Sequence, residues 1–188
     1  AQTPIYSYGG GISGTSSFTD DGNGNESLAF DGSQTGTGML GLTVMMPPGD
    51  PTLTINESVN NESSFVWTEY VLDVAMNQTF TISSAAVTAP PGWTETITQP
   101  TGPDINGNYN GMIDYALTAG GTPVAIYPAL NSILYLGYQI NFNSTTSYTV
   151  TETATPVPEP GAISLLLVAG LLLGGRMLFK GQRATIGA

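Results

Sequence analysis

The groups in this chain that could do chemistry form a short set. There is no histidine and no cysteine, and the three basic residues, Arg176, Lys180 and Arg183, all fall near the C-terminal end. The rest of the chain therefore lacks an imidazole base, a thiol nucleophile, a Schiff-base amine and a phosphate clamp. The absence of cysteine also removes disulfides and thiolate metal sites. Carboxylates, hydroxyls and phenols remain. Two carboxylates suffice for glycoside hydrolysis, and Glu69 with Asp73, on one face of a candidate strand, is the pair to consider. Carboxylates at alternate strand positions ordinarily face solvent, and glycosidase sites use more aromatic and basic support than this chain offers. The expectation is a protein that is not an enzyme.

Oxygen ligands give a second chemistry. Asp21, Asn23 and Asn25, and again Asp104, Asn106 and Asn108, place oxygen side chains at alternate positions, the spacing with which an acidic loop begins to wrap calcium. Both depart from the EF-hand pattern, because the sixth position is not glycine and the twelfth is not acidic, and Asn-Gly pairs also build ordinary hairpin turns. Asp114 joins the second set only if the loop folds back. Calcium is the one cofactor suggested.

Charge narrows the partners. The net charge is −11, with fourteen carboxylates, all at or before Glu159. Such a surface repels phosphate, which argues against nucleic acid. Five Asn-x-Ser/Thr triplets, at Asn25, Asn56, Asn61, Asn77 and Asn143, match the glycosylation pattern, in a chain so rich in Asn, Ser and Thr that chance supplies most of them.

The elements that must position these groups read as β-strands. Gly, Thr, Ser, Asn and Pro abound, and β-branched and aromatic residues cluster in short runs. Candidate strands fall at 5–8, 27–30, 38–46, 52–58, 65–74, 79–82, 85–88, 94–98, 132–143 and 147–153, with 104–111 read as loop. Leu53 and Ile55 share one face of their segment, and Leu134, Leu136, Tyr138, Ile140 and Phe142 share one face of theirs. In 65–74 the core face carries Val66, Thr68, Tyr70, Leu72 and Val74, leaving Trp67 with Glu69 and Asp73 on the other. Residues 143–146 read as a hairpin turn between the last two strands. The expected fold is all-β, a two-sheet β-sandwich of jelly-roll or immunoglobulin-like type over residues 1–150. A Thr/Pro-rich stalk over 151–160 follows it.

The end of the chain differs. Residues 161–179 are almost uninterruptedly apolar and span about 28 Å as a helix, close to the hydrocarbon thickness of a bilayer. This gives one transmembrane helix over 161–180 and a basic tail over 181–188. Arg176 lies near enough to the end to snorkel. By the positive-inside rule the tail is cytoplasmic and the acidic domain lies outside. Gly170 and Gly174 form a Gly-x-x-x-Gly notch that suits helix packing. The opening Ala1-Gln2-Thr3 suits a mature N-terminus left by signal-peptide cleavage.

Val157-Pro158-Glu159-Pro160, an apolar helix of this length and a short basic tail occur in that order, and together they resemble the bacterial PEP-CTERM sorting signal. The likeness covers about the last thirty residues, with Pro158, Glu159 and Pro160 as its motif. It implies export, recognition by an exosortase-type membrane enzyme and, in many members, cleavage near the motif. The domain before it is diverse among such proteins, so the signal implies an address rather than an activity. Two functions are expected. One is a non-enzymatic, membrane-anchored structural or interaction protein of a bacterial cell envelope, its N-terminal domain periplasmic or extracellular. The other is an accessory subunit of a large respiratory or photosynthetic membrane complex, capped by the sandwich. The partners are then the lipid bilayer, the processing enzyme, and other membrane subunits or a second copy of the chain.

Overall fold

The computed structural model describes residues 4–45, 51–143 and 147–159. Pro160, the apolar run over 161–180, its Gly170 and Gly174 notch and the basic tail lie outside the described residues. Among the described residues no helix is long and apolar enough to cross a membrane.

The described residues are all-β, as their alternation predicts. Nine strands form a single, nearly closed sheet: β1 (Ile5–Asp20), β2 (Asn25–Met45), β3 (Thr52–Asn61), β4 (Trp67–Met76), β5 (Phe80–Ile82), β6 (Trp93–Thr98), β7 (Tyr109–Leu117), β8 (Ile133–Phe142) and β9 (Ser147–Pro158). Their order is β5-β8-β3-β2-β9-β4-β7-β6, with β1 paired to β2 alone. The first compact unit runs from Ala1 to Val157.

Strand β2 makes this arrangement possible. Its first part, Asn25 to Gln34, ladders in parallel with β3, and its second part, Gly38 to Met45, ladders antiparallel with β9. Tyr148, the ladder partner of Val44, donates its hydroxyl to Glu26, so the two ends of β2 approach each other. The strand therefore curls back on itself, and β1 follows it, with the Tyr8 hydroxyl donating to Ser16 Oγ at 2.7 Å. The corner lies where the β1–β2 register shifts between Gly10 and Ile12. Gly10 has φ +64° there, and a Cβ on Gly38 would lie 2.4 Å from the Ile12 side chain, so the corner is built where side chains are absent.

The ends of the path nearly meet as well. Gln99, just past β6, accepts the N–H of Ile82 in β5 at 2.8 Å and donates to the Ile82 carbonyl at 2.7 Å. One amide side chain thus supplies the hydrogen bonds that a neighbouring strand would make.

The interior follows the period of two. Leu134, Leu136, Tyr138, Ile140 and Phe142 are all buried, as are Leu53, Ile55 and Val59 of β3 and Tyr70, Leu72 and Val74 of β4. Each such aliphatic or aromatic side chain contributes about 1.5–3 kcal/mol by leaving water.

Several expectations change. Segments 27–30 and 38–45 belong to one strand, and the strand expected at 5–8 runs on through a corner at Gly10 to Asp20. Much of the expected loop over 104–111 precedes a strand absent from the sequence reading, β7, while 85–88 holds a short 3-10 turn (Ser84–Ala86). Trp67, expected on the face of Glu69 and Asp73, is instead buried in the core with its ring centroid 5.5 Å from that of Tyr70, while Val124 bridges its backbone and Ser63 Oγ accepts its indole N–H at 2.9 Å. β8 and β9 form no hairpin, since β8 pairs with β3 and β5 while β9 pairs with β2 and β4. β9 itself continues through Pro158, so the segment read as a stalk is strand for most of its length.

Candidate functional site

Both acidic turn loops are closed by their own backbone. Asp21 Oδ1 accepts the N–H of Asn23 at 2.7 Å and of Asn25 at 3.1 Å, and its Oδ2 accepts Asn25 Nδ2 at 2.8 Å. Asp104 repeats the pattern, with Oδ1 accepting from Asn106 N at 2.8 Å and Asn108 N at 2.9 Å. These bonds, first the Asn25 side chain and the Asn108 backbone respectively, hold both carboxyls below the usual carboxylate range. A cation would compete with those donors for the same oxygens. Among the described residues no group of three or more acidic, histidine or cysteine side chains is placed to hold a metal. Asp114 stands within β7 opposite Val71 and Thr96, not folded back on the Asp104 loop. Glu69 and Asp73 lie on the outer side of β4, where burial and then the Asp114 charge raise the Glu69 pKa.

Other carboxyls, not singled out by the sequence reading, are drawn inside. Glu57 of β3 and Glu152 of β9 are buried and hydrogen-bonded to each other. The Tyr138 hydroxyl donates to Glu152 Oε2 at 2.5 Å. Beside them Tyr70 donates to Gln34 Oε1 at 2.5 Å, and Gln34 Nε2 donates to the carbonyls of Gly36 and Ala154 at 2.7 and 3.0 Å. Tyr115 donates to the Gly137 carbonyl at 3.2 Å. Among the described residues no cation compensates these acids, so burial, then the Glu152 charge and the bond to it, raise Glu57 well above the carboxylate range. Glu57 is thus the protonated donor and Glu152 the acceptor. Glu26, bonded to Tyr148, is pushed up to about 7, mainly by burial. A signal for all three existed: Glu57 is in phase with Leu53 and Ile55, Glu152 with Tyr148 and Val150, and Glu26 with Leu28 and Phe30. Glu57 and Glu152 are only 5% and 2% exposed, so the protonation of this cluster bears directly on the stability of the core.

An accessible feature among the described residues is a groove of about 640 Å³ between two loops. One wall is Thr88 to Pro91 with Trp93, and the other is Ala129 to Tyr135, with Thr122, Pro123 and Val124 between them. Among the described residues no charged side chain lines it. Trp93 anchors the floor, its indole Nε1 donating to the Thr122 carbonyl at 3.0 Å. Asn61, buried, ties the back by donating from Nδ2 to the carbonyls of Phe65 and Val124 at 3.0 and 3.2 Å. The far wall is held where Ser132 Oγ donates to Asn60 Oδ1 at 3.1 Å and the Ser132 carbonyl accepts the Asn61 N–H at 2.8 Å. Asn131 turns the chain at φ 62°, a left-handed conformation that Asn tolerates. Leu130 is 90% exposed and Tyr135 60%, with Tyr127 and Ile133 exposed nearby. Residues 118–131 keep no strand period, and their apolar and proline residues are the only sign of this wall that the sequence carries.

No family model matches the chain, and no curated protein or solved structure matches it.

Proposed function

We propose that this chain is a non-enzymatic, membrane-anchored structural or interaction protein of a bacterial cell envelope, displayed outside the cytoplasm and addressed by a PEP-CTERM-like signal. Its domain is a flattened two-layer sandwich. The curling of β2 and the bonds that cross the interior from Tyr138 to Glu152 and from Tyr115 to Gly137 support that reading. The observation that carries the function is the groove: an uncharged, apolar surface on a chain of net charge −11. Exposed apolar surface of that kind marks contact with a partner rather than with water. The Pro158-Glu159-Pro160 motif, the apolar run and the terminal cations support the address and the anchor.

The test is expression of the full chain behind an export signal, with and without an exosortase-type enzyme. Intact mass, membrane fractionation and native electrophoresis in mild detergent are then measured. Recovery in the envelope fraction, with a Leu130→Ser/Tyr135→Ser variant that folds normally but is retained less, is the expected result. Stoichiometric copurification with a large integral-membrane complex would instead favour the accessory-subunit reading. Retention in the cytoplasm would overturn both.

A further inference from the structure

β1 leaves one long edge of the sheet open. It pairs with β2 along its whole length and with no other described strand. The other two ends of the path, β5 and β6, are bridged by Gln99. Roughly half of the N–H and C=O groups of an antiparallel edge strand point away from its one neighbour and can template another strand. The usual guards are missing: β1 has no lysine, no internal proline, and only Asp20 as a charge, at its very end. Its one irregularity is the corner at Gly10, which leaves Ile12 to Asp20 as an uninterrupted ladder.

Charge indicates what covers this edge. The chain has net charge −11, yet residues 5–19 carry none. An approaching copy therefore meets no charge on residues 5–19 themselves, the exposed carboxylates beside them being Asp31, the ladder partner of Thr15, and Asp20 and Asp21 at the end of the strand. From this we infer that β1 is a self-association edge, at which a second copy adds its own β1 antiparallel to form a two-fold dimer with a continuous sheet. The interface is isologous, so the same strand serves both copies. A register centred on Ser16 keeps the charge-free stretch together and sets each Asp20 opposite the second copy's Ile12, away from its Asp20. The small side chains Ser13, Gly14 and Ser17, all exposed, let the two edges come to strand spacing.

The absence of native cysteine makes the test direct. The full chain in mild detergent is oxidised as single-cysteine variants at Ser13, Ser16 and Thr19, with Ile105→Cys as a control on an exposed loop. The expected result is a disulfide-linked dimer that peaks at Ser16→Cys, falls at Ser13→Cys and Thr19→Cys, and stays at background for Ile105→Cys. In sedimentation, the parent dimer should strengthen with added salt, which screens the net repulsion. Ser13→Glu/Ser17→Glu should weaken it roughly tenfold or more, by placing like charges across the new ladder, while its thermal unfolding shows that the fold is kept. Cross-linking at Ser16→Cys no greater than at Ile105→Cys overturns the inference. So does a monomer at every salt concentration, or a dimer unaffected by the glutamates, which would be held elsewhere, for example by the apolar run over 161–180.

Discussion

The Tyr138 hydroxyl on β8 donates to Glu152 Oε2 on β9 at 2.5 Å, joining two strands that share no ladder. With Glu57 hydrogen-bonded to the same carboxyl, two acids and a phenol sit in the apolar interior with no cation among the described residues. Such a group is stable only while it keeps its proton, because an uncompensated carboxylate there is costly.

Stability should therefore fall as pH rises. The folded-state pKa of Glu26 is about 7 against 4.5 for the free side chain. Between those values the folded chain holds a proton that the unfolded chain has released. The Glu26 contribution is fully present below 4.5 and lost as pH passes about 7. Glu57 extends the loss to higher pH in the same direction. Asp21 and Asp104, with lowered values, act oppositely and only on the acid side, below about 3.8. Thermal unfolding across pH should show a maximum on the mildly acidic side. Glu57→Gln, which keeps an N–H donor and removes the titration, should match the parent near about pH 5 and exceed it at about pH 8.

Tyr148→Phe removes the hydroxyl that holds the Glu26 pKa down against burial. Glu26 should then titrate above its present value, read by carboxyl NMR. The variant should lose about 1–3 kcal/mol in urea unfolding, the cost of leaving a buried polar group unpartnered. An unchanged Glu26 titration would show that the bond has no such role.

Gln99→Ala opens the sheet where β5 and β6 approach. Two hydrogen bonds to Ile82 disappear, so a loss of about 1–3 kcal/mol is expected. Hydrogen exchange should quicken most at the Ile82 amide, and equal acceleration across the sheet would contradict a local closing role.

The groove should bind an apolar probe in the folded state. An anilinonaphthalene dye should brighten on binding there, beside Trp93. Leu130→Ser should abolish most of that signal while changing stability by less than ~0.5 kcal/mol, since the side chain stands in solvent. Dye binding unchanged by that variant would place the apolar surface elsewhere.

Alternation, turns and charge were properties of the sequence by itself. The buried faces of β3, β8 and β9 follow from residue phase, because successive strand side chains point to opposite sides whatever the partner. The same phase pointed Glu26, Glu57 and Glu152 inward. β7 was equally legible in Ile113 and Tyr115 alternating with Met112 and Asp114, but Asn110 and Gly111 beside the Asn-Gly turn obscured its start. Which strand pairs with which was decided only in three dimensions. Ladder partners are set by long-range closure, so β8 left its sequence neighbour β9 for β3, and β2 shared itself between β3 and β9. The Glu57–Glu152 pair and the groove joining 88–93 to 129–135 exist for that reason: each brings together segments distant in the chain, and no local period records such a meeting.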